Sequence, residues 1–418
     1  MAVVSCASTR DVARTLAFAR HSGTHVVPRG GGHCFAGRSS TAGLVLDLSR
    51  LDAVSVLADG RARIGAGARL AQVYGRLHLA GLAIPAGCGA TVGIAGLTLG
   101  GGLGLLGRRH GLTCDALLGA RVVLADGRVV DCDLDREPEL FWALRGAGGG
   151  QFGVVTSLVF ATVAEPRATR FELRWPEEAA VDVAAAWQDW AFDAPDDLTA
   201  NLSLVASPGR PVSVVVFGAA LRPAEPAISL LSSLAAHVGV RPSISHQVLT
   251  WRDLKRSFAG REPSGPVLTA SRSEFFARPM PASVLVALID EFTSGAAAPG
   301  RGRTPTACRA PAAAGRGRRE LNFTALGGAY NRVPADATAF VHRGEQFLLE
   351  HVASDGDHWL DRSWTLAHAF ASGRVYPNFP DPGLDDWAAA YHGGNAARLR
   401  AVKRAYDPER LFRFPQAI

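Results

Sequence analysis

Several things are scarce in this 418-residue sequence, and each scarcity narrows its function. There are five tyrosines, Tyr74, Tyr330, Tyr376, Tyr391 and Tyr406, so phenolic acid–base chemistry has few candidate positions. The six cysteines (Cys6, Cys34, Cys88, Cys114, Cys132, Cys308) are scattered without a C-x-x-C pair. That argues against a zinc site and against a disulfide framework, and no metal is expected. No apolar run reaches the ~18 residues a membrane helix needs. The first 23 residues lack a basic start, a long apolar stretch and a small-residue cleavage site, so they do not read as a signal peptide. A cytoplasmic location is the default expectation. Charge of one sign is also lacking, since 44 basic residues face 38 acidic ones, a net +6. Much of that excess lies between Arg301 and Arg319, among Ala, Gly and Pro, with no interleaved aromatic residues on which bases could stack. A solvated loop is expected there, and no nucleic-acid partner.

What is present falls into two styles. Up to about residue 165, short β-branched runs alternate with glycine clusters. Strands are expected at 2–6, 24–28, 43–48, 62–65 and 154–160, and a helix at 70–80 ended by Gly81. The first helix begins at Ser8 or Thr9 and stops at Gly23. Residues 121–124 and 128–131 flank Ala125-Asp126-Gly127, a hairpin signal. Beyond 165, helical patterns appear at 179–191, 224–238, 282–294 and 338–351. Strands lie between them at 200–206, 212–219 and 269–276. This suits an α+β domain in which helices cover one face of a sheet. Near the end, one helix runs from about Trp387 to Tyr406, interrupted at Gly393-Gly394.

The segment 87–107 holds nine glycines, and Gly146-Ala-Gly-Gly-Gly150 with Gly153 forms a second cluster. Glycine is entropically costly to order, so this density needs a reason. Two fit: tight turns with positive φ, or close approach of backbone N–H groups to an anion. No Gly-Lys-Ser/Thr follows, which excludes a Walker A loop. Gly102-Leu-Gly-Leu-Leu-Gly107 can be read as G-x-G-x-x-G, but it lacks the βαβ unit and acidic residue of a Rossmann site. His33 directly follows Gly30-Gly31-Gly32. An imidazole there either bonds a loop carbonyl or faces a ligand.

Other strings run in one order along nearly the whole chain. They are Pro28-Arg-Gly-Gly-Gly-His33 with Gly37, then Gly43-Leu-Val-Leu-Asp-Leu48. Next come Thr91-Val-Gly-Ile-Ala-Gly-Leu-Thr-Leu-Gly-Gly-Gly102 and Gly111-Leu-Thr-Cys-Asp115. Leu140-Phe-Trp-Ala-Leu-Arg-Gly146, Phe152-Gly-Val-Val-Thr156 and Gly327-Gly-Ala-Tyr-Asn331 follow. The last are Tyr376-Pro-Asn-Phe379 with Asp381, and Tyr406-Asp-Pro408 with Phe412-Arg-Phe-Pro415. Together they resemble the berberine-bridge-enzyme-like FAD-linked oxidases of the vanillyl-alcohol-oxidase group.

The resemblance implies a two-lobed α+β fold. Residues 1–165 would be a PCMH-type FAD-binding domain. Residues 166–384 would be a substrate domain whose antiparallel sheet, covered by helices, lies over the flavin. Residues 385–418 would return to the FAD domain. It implies FAD bonded through its 8α carbon to His33. Arg29, Gly30, Gly31, Gly32, Gly37, Gly89, Thr91, Val92, Gly93, Gly96, Gly102, Gly104, Gly153, Val155 and Asn378 are the expected cofactor contacts. Val92 is expected where a small residue admits oxygen.

Departures from the family pattern matter. A second flavin link comes, in many members, from a cysteine four residues before the glycine of T-V-G. That place is Gly89 here, with Cys88 one residue early, so a single link through His33 is the favoured expectation and Cys88 the alternative. The second tyrosine of the Y-x-N-Y pattern is Phe379, which cannot take a proton, so Tyr376 is the candidate catalytic residue. His246, His342, His358 and His368 are weaker candidate bases. The implied reaction is hydride transfer from an alcohol-type carbon of a sugar, glycoside or secondary metabolite, with dioxygen as reoxidant. The alternatives are a flavin dehydrogenase with another acceptor and a non-catalytic flavin-binding protein, which the large middle domain disfavours.

Overall fold

Ser8 opens the first helix, Thr9–Ser22, with its side chain accepting from the backbone N of Asp11. Gly23 closes it in the left-handed conformation at φ 64°. Both are caps that chemistry prescribes at those positions. The computed structural model describes residues 1–259, 269–294, 317–354 and 356–418. Residues 301–316 of the arginine-rich stretch, and Cys308, lie outside the described residues.

The first helix follows strand Ala2–Ser5, which pairs in parallel with Leu44–Asp47, itself parallel to Val26–Arg29. A second, antiparallel sheet takes the order Val54–Val56, Ala62–Gly65, Val154–Phe160, Leu117–Val123, Val129–Cys132. Its last two strands are joined through Ala125-Asp126-Gly127, where Gly127 takes φ 88°. The apolar faces of both sheets share one core with helix Leu70–His78. Leu399 and Val402 of helix Ala396–Tyr406, together with Phe412 and Ile418, pack into that same core.

The middle of the chain forms a seven-stranded antiparallel sheet. Its order is Ser243–Thr250, Arg167–Trp175, Arg210–Ala220, Leu198–Ser207, Arg319–Ala325, Phe347–Ser354, Thr269–Phe276. Period-two alternation sorts its side chains. Phe171, Leu173, Leu202, Leu204, Val216, Leu321, Phe323 and Leu349 bury themselves under helices Ala180–Trp190, Ala224–Val238, Ala282–Thr293 and Trp359–His368. The opposite face turns toward the glycine-rich segment. Thr199 donates to the Leu105 carbonyl at 3.1 Å, and Phe275 and Leu348 pack with Leu103.

One expectation fails here. Residues 338–351 are not a helix: 338–346 are irregular and Phe347–Ser354 is a central strand, buried in alternation. The C-terminal helix, by contrast, is interrupted where expected, into Trp387–His392 and Ala396–Tyr406, by a 3-10 turn over Gly393–Asn395.

Candidate functional site

A cleft with about 1410 Å³ of empty space opens along the glycine loops. Its floor is Gly30–His33, Val92, Gly93 and Gly96. Its walls include Val26, Leu48, Leu97, Gly148–Gly150, Gly153, Val155, Asn378, Phe379, Phe412 and Phe414. The floor is two backbones pressed together. A Cβ on Gly31 would collide with the backbone N of Gly93, and one on Gly93 would collide with the N of Gly31. Glycine is required at both positions for that approach.

The 86–93 loop is tied from both sides. The first amides of helix Leu70–His78 hold it, Leu70 N donating to the Val92 carbonyl and Ala71 N to that of Ala90, each at 3.0 Å. From helix Trp251–Ala259, Lys255 donates to the Ala86 carbonyl at 2.8 Å and the Gly87 carbonyl at 3.0 Å. So fixed, Thr91 places its Oγ1 2.8 Å from His33 Nε2. His33 is exposed to the cleft.

The donor set suits an extended, doubly anionic cofactor with aromatic ends. The backbone N–H groups of Gly30, Gly31, Gly32 and His33 have no protein acceptor among the described residues, and they form a nest of the kind that takes up phosphate. Arg38 adds a guanidinium at the lining, 4.8 Å above the Phe414 ring. Aliphatic side chains cover most of the remaining wall, which fits ring systems. FAD matches this combination: the nest for its pyrophosphate, the apolar walls for its rings.

The structure brings together His33, Gly30, Gly31, Gly32, Val92, Gly93, Gly96, Gly153, Val155 and Asn378 at this cleft, with Thr91 behind His33. Others lie elsewhere. Arg29 braces the 37–40 turn, donating to the Ser39 carbonyl at 2.9 Å and to Ser40 Oγ at 2.8 Å. Gly37 turns at φ 66°, and Gly89 accepts from Val92 N, both away from the lining. The Gly102 and Gly104 amides are occupied. Gly102 N donates to Tyr376 Oη at 2.9 Å and Gly104 N to Tyr330 Oη at 3.0 Å, so they brace a turn instead of cradling phosphate.

Tyr376 is buried, and three donors converge on its hydroxyl: Gly102 N, Leu103 N at 3.2 Å and Asn378 Nδ2 at 3.0 Å. Burial still outweighs these donors and pushes its pKa up to about 12. It does not line the cleft. Cys88 faces the Lys255 ammonium at 3.6 Å and packs with the cluster around Leu105, Trp251 and Leu254, again off the lining. His342 is fully buried, stacked on Phe275 at 4.6 Å, and held neutral by burial with its pKa down to about 3. His368 is bound to Glu274 at 3.0 Å on the strand Thr269–Phe276.

The sheet face turned toward the glycine-rich segment adds a residue that sequence reasoning missed, though it too lies off the cleft lining. Glu350 stands two positions along the strand from Leu348, which packs beside Leu103 and Tyr376. Its strand neighbours are Ser273 and Asn322. Ser273 keeps a buried hydroxyl without a partner, while Ser271 and Asn322 lie against the Glu350 carboxyl and favour its charged form. Burial, aided by nearby Glu320, raises the Glu350 pKa to about 8. A carboxyl poised near neutrality beside the unpartnered Ser273 hydroxyl is suited to accept a proton. Its sequence signal was the F-L-L-E-H-V-A-S alternation, obscured by the helical reading. Phe412–Phe414 and Gly148–Gly150 were likewise visible as motifs but not as walls.

Among the described residues no group of His, Cys, Asp and Glu could hold a metal, and no helix is long and apolar enough to cross a membrane.

Comparison with known proteins agrees with this geometry. Residues 1–133 match the FAD binding domain family, and residues 375–418 match the berberine and berberine-like family. The FAD-linked oxidoreductase YgaK of Bacillus subtilis is 32% identical over 100% of this chain and 90% of its own. Chitooligosaccharide oxidase of Gibberella zeae is 31% identical over 96% of this chain and 83% of its own. The solved structure of Physcomitrella patens BBE-like 1 superposes with a TM-score of 0.88 at 26% identity, covering 100% of this chain and 90% of that one. A cleft built for FAD, continued into a C-terminal segment of the berberine-like type, makes this chain a member of the berberine-bridge-enzyme-like family of FAD-linked oxidoreductases.

Proposed function

We propose that this oxidoreductase oxidises an alcohol-type carbon of a small polar molecule, a sugar, glycoside or hydroxylated secondary metabolite, with FAD bonded to His33. The observation that carries the reading is His33 itself, an exposed imidazole at the floor of a donor-lined cleft. When bound, FAD supplies the two-electron acceptor, and dioxygen takes those electrons on as hydrogen peroxide. Glu350 takes the substrate hydroxyl proton, a role its raised pKa supports better than the occupied hydroxyl of Tyr376 supports one there. Ser273 hydrogen-bonds a substrate hydroxyl and helps orient the reacting carbon, while Ser271 and Asn322 hold the Glu350 carboxyl. A relative named for oxidising a chitooligosaccharide supports the sugar class. The link is single, since Lys255 holds the Cys88 thiol on the other side of the 86–93 loop.

The test is the intact mass of acid-denatured protein. We expect a mass heavier by one FAD, and no such addition in His33→Ala. Flavin still attached in that variant would implicate Cys88, and no flavin on the native chain would remove the covalent claim. Peroxide release during turnover separates dioxygen from another electron acceptor.

A further inference from the structure

We infer that Thr91 is the positioning residue that makes His33 the nucleophile toward the cofactor, by fixing which ring nitrogen carries the proton. The inference rests on the His33 linkage proposed above. An imidazole can attack only through an unprotonated nitrogen, and the hydrogen bond made by one nitrogen decides the state of the other. His33 Nε2 lies 2.8 Å from Thr91 Oγ1, while Nδ1 has no partner among the described residues. With Nε2–H donating to the threonine oxygen, the Nδ1 lone pair is free on a ring that lines the cleft.

Thr91 can set this because it is itself held. Its neighbours Ala90 and Val92 both give their carbonyls to the opening amides of helix Leu70–His78. Gly93 pairs with Arg69 in an isolated bridge, and Lys255 fixes the Ala86 and Gly87 carbonyls. The hydroxyl therefore presents itself to His33 from a fixed backbone.

A bond forms between Nδ1 and the methyl carbon at flavin position 8. One C–H bond of that methyl breaks, and the imidazole gives up its N–H proton. The two electrons and two protons released pass to dioxygen, which leaves as hydrogen peroxide. Thr91 does not react. It holds Nε2–H during attack and accepts from the positive charge that develops on the ring.

The test follows attachment, not turnover. Full-length protein made in a flavin-depleted host is mixed with saturating FAD in air, quenched in acid at intervals, and its covalent flavin read as fluorescence of the denatured band. Saturation removes differences in affinity. We expect Thr91→Val to attach flavin about tenfold more slowly, the equivalent of one lost hydrogen bond, and Thr91→Ser to recover most of the native rate. Attachment at the native rate in the valine variant overturns the role. So does a serine variant as slow as valine, because that would make the methyl group, not the hydroxyl, the useful part. Covalent flavin on His33→Ala would instead overturn the linkage, and with it the role.

Discussion

Asp407 offers the sharpest test of how the cleft is held open. The chain contains only two lysines, Lys255 and Lys403, and both are buried. The Lys403 side chain is 2% exposed and pairs at 2.7 Å with Asp407, which is fully buried. The ammonium also donates to the Gln151 carbonyl at 2.5 Å and the Phe412 carbonyl at 2.7 Å. The carboxylate accepts from Leu411 N at 2.8 Å and Phe412 N at 3.0 Å. Four backbone groups thus depend on one ion pair, two of them on Phe412 of the cleft wall. Asp407→Asn keeps the shape but leaves the ammonium without its counter-charge and turns an amide N–H toward either Lys403 or a backbone N–H. Breaking a buried pair on one side costs about 3–5 kcal/mol. In a domain of this size that lowers Tm by roughly 6–20 °C. Removing both charges, in Lys403→Met with Asp407→Leu, should lie nearer the native value than Asp407→Asn alone, as buried pairs replaced by apolar groups often do. The assay is urea unfolding followed by near-UV circular dichroism, with flavin fluorescence recorded in parallel. A loss in Asp407→Asn below ~1 kcal/mol would show that the pair contributes no more than an exposed bridge does.

Two other perturbations bear on the chemistry and the cradle. Because burial lifts Glu350 to about 8, kcat/KM should rise roughly tenfold per pH unit up to that value and then level off. Glu350→Gln should erase this limb and lower turnover by about 10²–10⁴-fold, and an unchanged profile would assign the proton elsewhere. The sign for stability is opposite: a carboxyl whose folded pKa is raised contributes stability below its unfolded value that is lost as pH rises through about 8. Denaturation series on either side of that pH read it, and the glutamine variant should lack the loss. Gly31→Ala drives a methyl into the Gly93 backbone, so the flavin-to-protein absorbance ratio should fall together with about 1–3 kcal/mol of stability. A fully loaded, equally stable alanine variant would show that the two loops can part.

How much of this was legible in the sequence depended on whether the deciding interactions were local. Ser8, Gly23 and Asp126-Gly127 act within a few residues, and the helix and hairpin they specify form where expected. Strands Ala62–Gly65 and Val154–Phe160 and helix Ala224–Val238 likewise match their patterns. The 338–351 stretch failed because Phe347, Leu348 and Leu349 supply apolar residues at helical as well as strand spacing. Only pairing with Arg319–Ala325 and Thr269–Phe276 decides between them. That error hid Glu350, whose chemistry arises from burial between strands distant in sequence. The loop around His33 could be singled out because glycines mark it. The occupation of Gly102 and Gly104 by tyrosine hydroxyls could not, since Tyr330 and Tyr376 lie more than two hundred residues away.

The cleft joins Gly30–His33 to Phe412–Phe414, near opposite ends of the chain. A ribosome adds about 5–20 residues per second, so roughly 20–80 s separate the appearance of the imidazole from that of the phenylalanines that wall it. Throughout that interval a nest of unpaired amides exists without its far side. Capture of the cofactor is therefore an event of the finished chain, and a cell short of flavin would accumulate full-length apoprotein, not stalled fragments.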